Sequence, residues 1–115
     1  MSRNVHSGIS AERRAYAPVF AALGDETRLA LVARLSRGAP RSISQLTEGS
    51  RITRQAITKH LRVLEKAALV RSVRTGRESL FEFDPKPIAE CKRYLDDVSE
   101  QWDLTLSRLK AFVER

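Results

Sequence analysis

The residues best equipped for chemistry are hydrogen-bond donors and cations set at helical spacing. Between Thr53 and Ala67, the side chains of Gln55, Thr58, Lys59, Arg62 and Lys66 share one helix face, at about 100° per residue, while Ile57, Leu61, Leu64 and Ala68 mark the opposite face. Thr53 is placed to cap this helix, its hydroxyl accepting from an amide of the first turn. Short polar groups near the start with cations further along suit the base edges and phosphates of a DNA major groove. A solvated charged face is the plainer reading of such a helix in isolation. Its surroundings decide between the two.

Charge is concentrated around this stretch. The chain has 115 residues and a net charge of +7. Eight cations (Arg51, Arg54, Lys59, Arg62, Lys66, Arg71, Arg74, Arg77) and one acid, Glu65, lie between residues 51 and 77, so that segment alone carries the whole excess. A polyanion-binding protein gathers its charge in this way, whereas a merely basic one spreads it. No run is apolar enough to cross a membrane, and no broad apolar face accompanies the basic one.

Catalysis finds no comparable support. The five glycines are scattered, and His6 and His60 stand far apart. No nucleophile with a neighbouring base is evident. Cys91 is the single cysteine, which excludes an intrachain disulfide and a zinc-finger pattern, suits a reducing cytoplasm and reads most simply as a small buried hydrophobe. Neither a cofactor nor a metal is expected. RNA binding is disfavoured because the basic segment shows no aromatic for base stacking.

The elements that must hold these groups follow in order. Residues 1–10 are polar and aperiodic and are expected to be a mobile N-terminus; residues 11–115 form one domain. A first helix runs to about Leu23, beginning near Ala17 so that Pro18 falls in its opening turn. Asp25 caps a second helix, Glu26 to Arg37, and Gly38 with Pro40 ends it. Ser42-Ile43-Ser44-Gln45 is a capping box that starts a short third helix. Gly49-Ser50-Arg51-Ile52 joins it to the helix at 53–67, which matches the helix-turn-helix template. The period then changes to two, predicting a hairpin over 69–84 that turns at Thr75-Gly76-Arg77. A terminal helix, 85–115, is capped by Asp84 and takes Pro85 and Pro87 into its first turn. Its stripe of Cys91, Leu95, Val98, Trp102, Leu106, Leu109 and Val113 is longer than so small a domain needs, which favours pairing with a second copy. Ser99 is a point where this helix could break. The fold class is therefore mainly α with a small β-hairpin wing, a winged helix-turn-helix.

Over residues from about 15 to 115 the chain resembles the ArsR/SmtB family of bacterial repressors. Phe20-Ala-Ala-Leu-Gly-Asp-Glu-Thr-Arg-Leu29, Thr58-Lys-His-Leu-Arg-Val-Leu-Glu-Lys-Ala-Ala-Leu-Val70 and Arg74-Thr-Gly-Arg77 carry the likeness. The resemblance implies a homodimer built from the first and last helices, with Tyr16, Phe20, Leu95, Trp102, Leu106 and Leu109 at its interface. It implies a recognition helix in the major groove of double-stranded DNA, with Arg54, Gln55, Thr58 and Lys59 at base-facing positions. Thr53, Arg62 and the wing residues Arg74 and Arg77 complete the expected contacts. His60 matches a recurring histidine of the family and reads as a packing or phosphate-contact residue. Ala68 stands where the family usually has glycine, so the helix is expected to end without a left-handed cap. The family's metal-binding variants carry cysteine pairs on the third helix or Asp/His pairs on the last, which this chain lacks, so the likeness is to the metal-independent branch. The expectation is a sequence-specific repressor that binds an inverted-repeat operator as a dimer. A metal- or thiol-responsive sensor using Cys91, a winged-helix protein-interaction module and an unidentified small-molecule effector stay open beside it.

Overall fold

A computed structural model describes the backbone of residues 3–114 and the side chains of residues 10–114. Five helices and three short strands follow one another as α1 (Arg3–Leu23), α2 (Glu26–Ser36), β1 (Arg41–Ser42), α3 (Ile43–Thr47), α4 (Arg54–Lys66), β2 (Val70–Thr75), β3 (Glu78–Phe83) and α5 (Lys86–Val113). The core collects Val19 and Ala22 of α1, Leu31, Val32 and Leu35 of α2, Leu46 of α3 and Ile57, Leu61 and Leu64 of α4. Leu69, Val70, Phe81 and Cys91 close it from the wing and the last helix. Helices α1, α2 and α4 each contribute one face at three- and four-residue spacing, so burial adds to intrinsic propensity in holding them.

The first helix departs from expectation. It is helical from Arg3, and Pro18 sits inside it, not in an opening turn. Proline there removes one amide donor, that of residue 18, and typically costs about 3 kcal/mol. Pro18 faces solvent, where water can satisfy the carbonyl left unpaired. On the other face Val19 and Ala22 are buried, and Tyr16 and Phe20 pack against the core, which offsets the cost. The side chain of His6 lies outside the described residues.

Local signals elsewhere act as read. Asp25 caps α2 by accepting from the Arg28 amide at 3.0 Å. Ser42 and Gln45 bond reciprocally, Ser42 Oγ accepting from Gln45 N at 3.2 Å and Gln45 Oε1 from Ser42 N at 2.9 Å. Gly76 turns the hairpin with φ +63°, and the register pairs Thr75 with Glu78 and Val70 with Phe83. The wing is more than a hairpin, however. Arg41 and Ser42 pair antiparallel with Phe81 and Leu80, giving a three-stranded sheet in the order β1-β3-β2. Two residues are too few to show a period, so this strand leaves no pattern in sequence. Asp84 Oδ1 accepts from the Lys86 amide at 3.0 Å, while the N-cap position itself belongs to Pro85. No break occurs near Ser99, and α5 runs unbroken for 28 residues.

The end of α4 corrects another expectation. Ala68 adopts φ +62°, its amide bonds Glu65 O at 2.9 Å, and the Leu69 amide bonds Leu64 O at 3.0 Å. Those two bonds form the Schellman motif, so the left-handed cap is kept although glycine is absent. Leu64 and Leu69 are both fully buried, and their burial holds the turn against a conformation that costs an L-residue about 1–2 kcal/mol. Ala68→Gly is therefore expected to stabilise the chain by about 1 kcal/mol. Urea unfolding should show a higher midpoint at unchanged slope, and a lower midpoint would mean that Ala68 carries no strain.

Candidate nucleic-acid interface

The α4 face opposite the core is exposed, polar and cationic. Arg54, Gln55, Lys59, Arg62 and Lys66 are exposed and Thr58 is half-buried, while Ile57, Leu61 and Leu64 are buried behind them. Thr53 caps the helix, Oγ1 accepting from the Ala56 amide at 3.1 Å. Its oxygen is thus engaged in holding the helix start, while its proton remains free to donate. Thr58 Oγ1 donates to Arg54 O at 2.8 Å, which leaves its oxygen able to accept but its proton committed. Arg54, Gln55, Thr58 and Lys59 line one shallow hollow on this face. The four positions therefore come together as a patch.

The wing adds two cations and loses a third. Arg74 and Arg77 are exposed near the turn at Gly76. Arg71, counted with the basic segment by sequence, is instead bound across the strands: its Nε donates to Glu82 Oε1 at 2.5 Å, and its Nη1 lies 3.9 Å from Asp84 Oδ2. The Glu82 bond and charge, reinforced by Asp84, raise the Arg71 pKa. Its charge is answered locally by the two carboxylates. Glu65, the one acid of the segment, accepts from Ser72 Oγ at 2.9 Å and so fastens the wing to α4.

His60 is half-buried and faces α2. Its Nδ1 lies 3.2 Å from Arg28 Nη1 and 3.8 Å from Asp25 Oδ2. An arginine can only donate, so Nδ1 is the atom placed to accept from Arg28. Arg28 also donates from Nε to Ala22 O at 2.6 Å and from Nη2 to Ala21 O at 3.4 Å. One guanidinium thus joins the end of α1, the start of α2 and the recognition helix. The Arg28 amide on its side chain, aided by the Arg28 charge and opposed by desolvation, lowers the Asp25 pKa. The stability this gives is present above the ordinary carboxylate pKa and is lost as pH falls through the depressed value.

Residues proposed for pairing lie along α1 and α5. Tyr16 and Phe20 are half-buried and meet Tyr94 of α5, with ring centroids 5.9 and 6.2 Å apart and tilted planes. The rest of the stripe is bare: Leu95 is 50% exposed, Trp102 68%, Leu106 59% and Leu109 57%. Phe112 and Val113 extend it. Cys91, in contrast, is buried in the subunit's own core, and that burial, with the Glu90 charge, pushes its thiol pKa up. Among the described residues no group of three or more His, Cys, Asp or Glu side chains is placed to hold a metal ion. Nor is any helix among them long and apolar enough to cross a membrane.

A buried-backed helix ending a helix-turn-helix, with a cationic β-wing fastened beside it, defines a winged-helix DNA-binding domain. The comparisons agree. Residues 23–73 match a helix-turn-helix domain family. The chain is 36% identical over 75 residues to the HTH-type transcriptional regulator Rv2034 of Mycobacterium tuberculosis, covering 65% of this chain and 69% of that protein. It is 41% identical over 76 residues to the uncharacterized HTH-type transcriptional regulator YuzN of Bacillus subtilis, covering 61% of this chain and 83% of that one. The solved structure of an ArsR-like transcriptional regulator from Rhodococcus sp. RHA1 superposes with a TM-score of 0.76 at 38% identity, over 91% of this chain and 95% of that one. The chain belongs to the ArsR family of winged helix-turn-helix transcriptional regulators.

Proposed function

We propose that this regulator is a cytoplasmic, non-enzymatic repressor that binds an inverted-repeat operator as a homodimer, with no metal or other cofactor in its release. The observation that carries the reading is the patch of Arg54, Gln55, Thr58 and Lys59 on the outward face of α4, with Ile57, Leu61 and Leu64 buried behind it. Gln55 offers the paired donor and acceptor that match adenine, Arg54 the fork that matches guanine, and Thr58 a methyl for thymine. Thr53, Arg62, Arg74 and Arg77 are assigned to the flanking phosphates, which fix position without reading sequence. The bare stripe of α5 supports pairing through α1 and α5, with half-sites about 10 bp apart centre to centre. Residues 11–115 act as one unit in this reading. The burial of Cys91 argues against a thiol sensor, since a thiol so placed is a poor nucleophile and a poor ligand.

Selection of bound fragments from random duplexes tests the proposal and yields the operator. A symmetric consensus supports it; enrichment of no sequence would sink it. On that operator, Gln55→Ala is expected to relax discrimination at one base pair per half-site, by about 1–3 kcal/mol. Arg74→Ala and Arg77→Ala should instead weaken all duplexes about equally. Wing substitutions that altered sequence preference, with Gln55→Ala neutral, would reverse the groove assignment.

A further inference from the structure

Arg54 opens α4, and its Nη1 donates to Ser44 Oγ at 2.8 Å. Ser44 sits in the first turn of α3, so the bond spans the two helices of the helix-turn-helix. Both residues are exposed, and neither belongs to the core, so the bond has little to contribute to folding. A surface pair of this kind is ordinarily worth little to stability. What it does is orientate. A free arginine samples many rotamers and must lose them to meet a base edge. Here one Nη1 hydrogen is taken by Ser44, whereas Nε and Nη2 have no protein partner among the described residues. Those two parallel N–H groups are the fork that fits O6 and N7 of guanine. Thr58, beside it, has already given its proton to Arg54 O, so it does not compete as a donor at the same edge.

We propose that Ser44 is a positioning residue that presets Arg54 to read a guanine at the near end of each half-site. The inference rests on the DNA-binding reading above and adds a specificity device supplied by α3, the helix that does not enter the groove.

The experiment uses the full chain and its selected operator. Each guanine of a half-site is replaced in turn by 7-deazaguanine, which lacks only the N7 acceptor. One replacement per half-site is expected to weaken wild-type binding about tenfold, the equivalent of about 1.4 kcal/mol, and to have no effect on Arg54→Ala. Ser44→Ala should lower that discrimination three- to tenfold while affinity for unrelated duplex stays within twofold, and Ser44→Thr should restore it. A merely structural Ser44 would weaken operator and unrelated DNA together and leave their ratio unchanged. The proposal is overturned if Ser44→Ala discriminates like wild type, or if the N7 effect persists in Arg54→Ala. Wild-type protein that binds no duplex would instead remove the DNA-binding reading itself.

Discussion

Trp102→Ala is expected to convert the proposed dimer into monomers while leaving the fold of each subunit nearly intact. Trp102 is 68% exposed in the single chain, so truncating it deprives the subunit of little buried area. The cost of about 3–5 kcal/mol usual for a buried tryptophan is thus shifted from folding to association. On the stripe with Leu95, Leu106 and Leu109, tryptophan is the side chain most apt to dominate an interface. A two-fold axis brings both copies into the contact, so losing about 2 kcal/mol from each weakens dimerisation about a thousandfold. Sedimentation at micromolar protein should then show monomer, with helical circular dichroism retained. The wild-type melting temperature should rise with protein concentration, and that of the variant should not. An undisturbed Trp102→Ala dimer would place the interface elsewhere.

Raising salt from 50 to 200 mM is expected to weaken operator binding about ten-thousandfold. Lys59, Arg62, Arg74 and Arg77 are exposed and have no acidic partner among the described residues. Were all four to meet phosphates in both subunits, about eight counterions would be displaced and log K would fall with log salt at a slope near −7. Arg77→Ala should bring that slope closer to zero by about 2 in the dimer. Arg71→Ala should leave it unchanged, because the Glu82 and Asp84 carboxylates already answer that charge. This contrast makes the measurement specific: equal effects at both positions would mean the wing is not held as described. A slope near zero for the wild type would exclude a phosphate-contacting interface.

The contrast between Arg77 and Arg71 also marks how far sequence could be read. The two faces of α4 were legible because they depend only on helical period and residue type. The cap at Thr53, the box at Ser42 and the turn at Gly76 were legible for the same reason, each being a local bond within a few residues. The pairing of Arg71 was not legible because its partners lie eleven and thirteen positions away, and only the strand register that sets Arg71 opposite Glu82 brings them together. A cation on one strand and an acid on the next was the available signal. The start of α1 was misjudged for the opposite reason: a local rule about Pro18 was outweighed by packing on the far side of the helix. Ala68 shows the same conflict, with the burial of Leu64 and Leu69 imposing a backbone that alanine alone would avoid. The short strand β1 and the bond from Ser44 to Arg54 left no periodic trace. His60 was recognised as important but not as a link, since Arg28 lies thirty-two positions away.

That link restricts how the regulator can be tuned. Arg28 holds the carbonyls ending α1 and the ring of His60 on α4 at once, which ties the recognition helix to the helix proposed for the subunit contact. In a dimer, whatever turns α1 carries α4 with it. What varies is then the span between two reading heads, set against the roughly 34 Å advance of one turn of the double helix. Two heads a few ångströms too far apart fall out of phase with that advance although each remains intact. Affinity would then be switched by phase, with the chemistry of each half-site left unaltered.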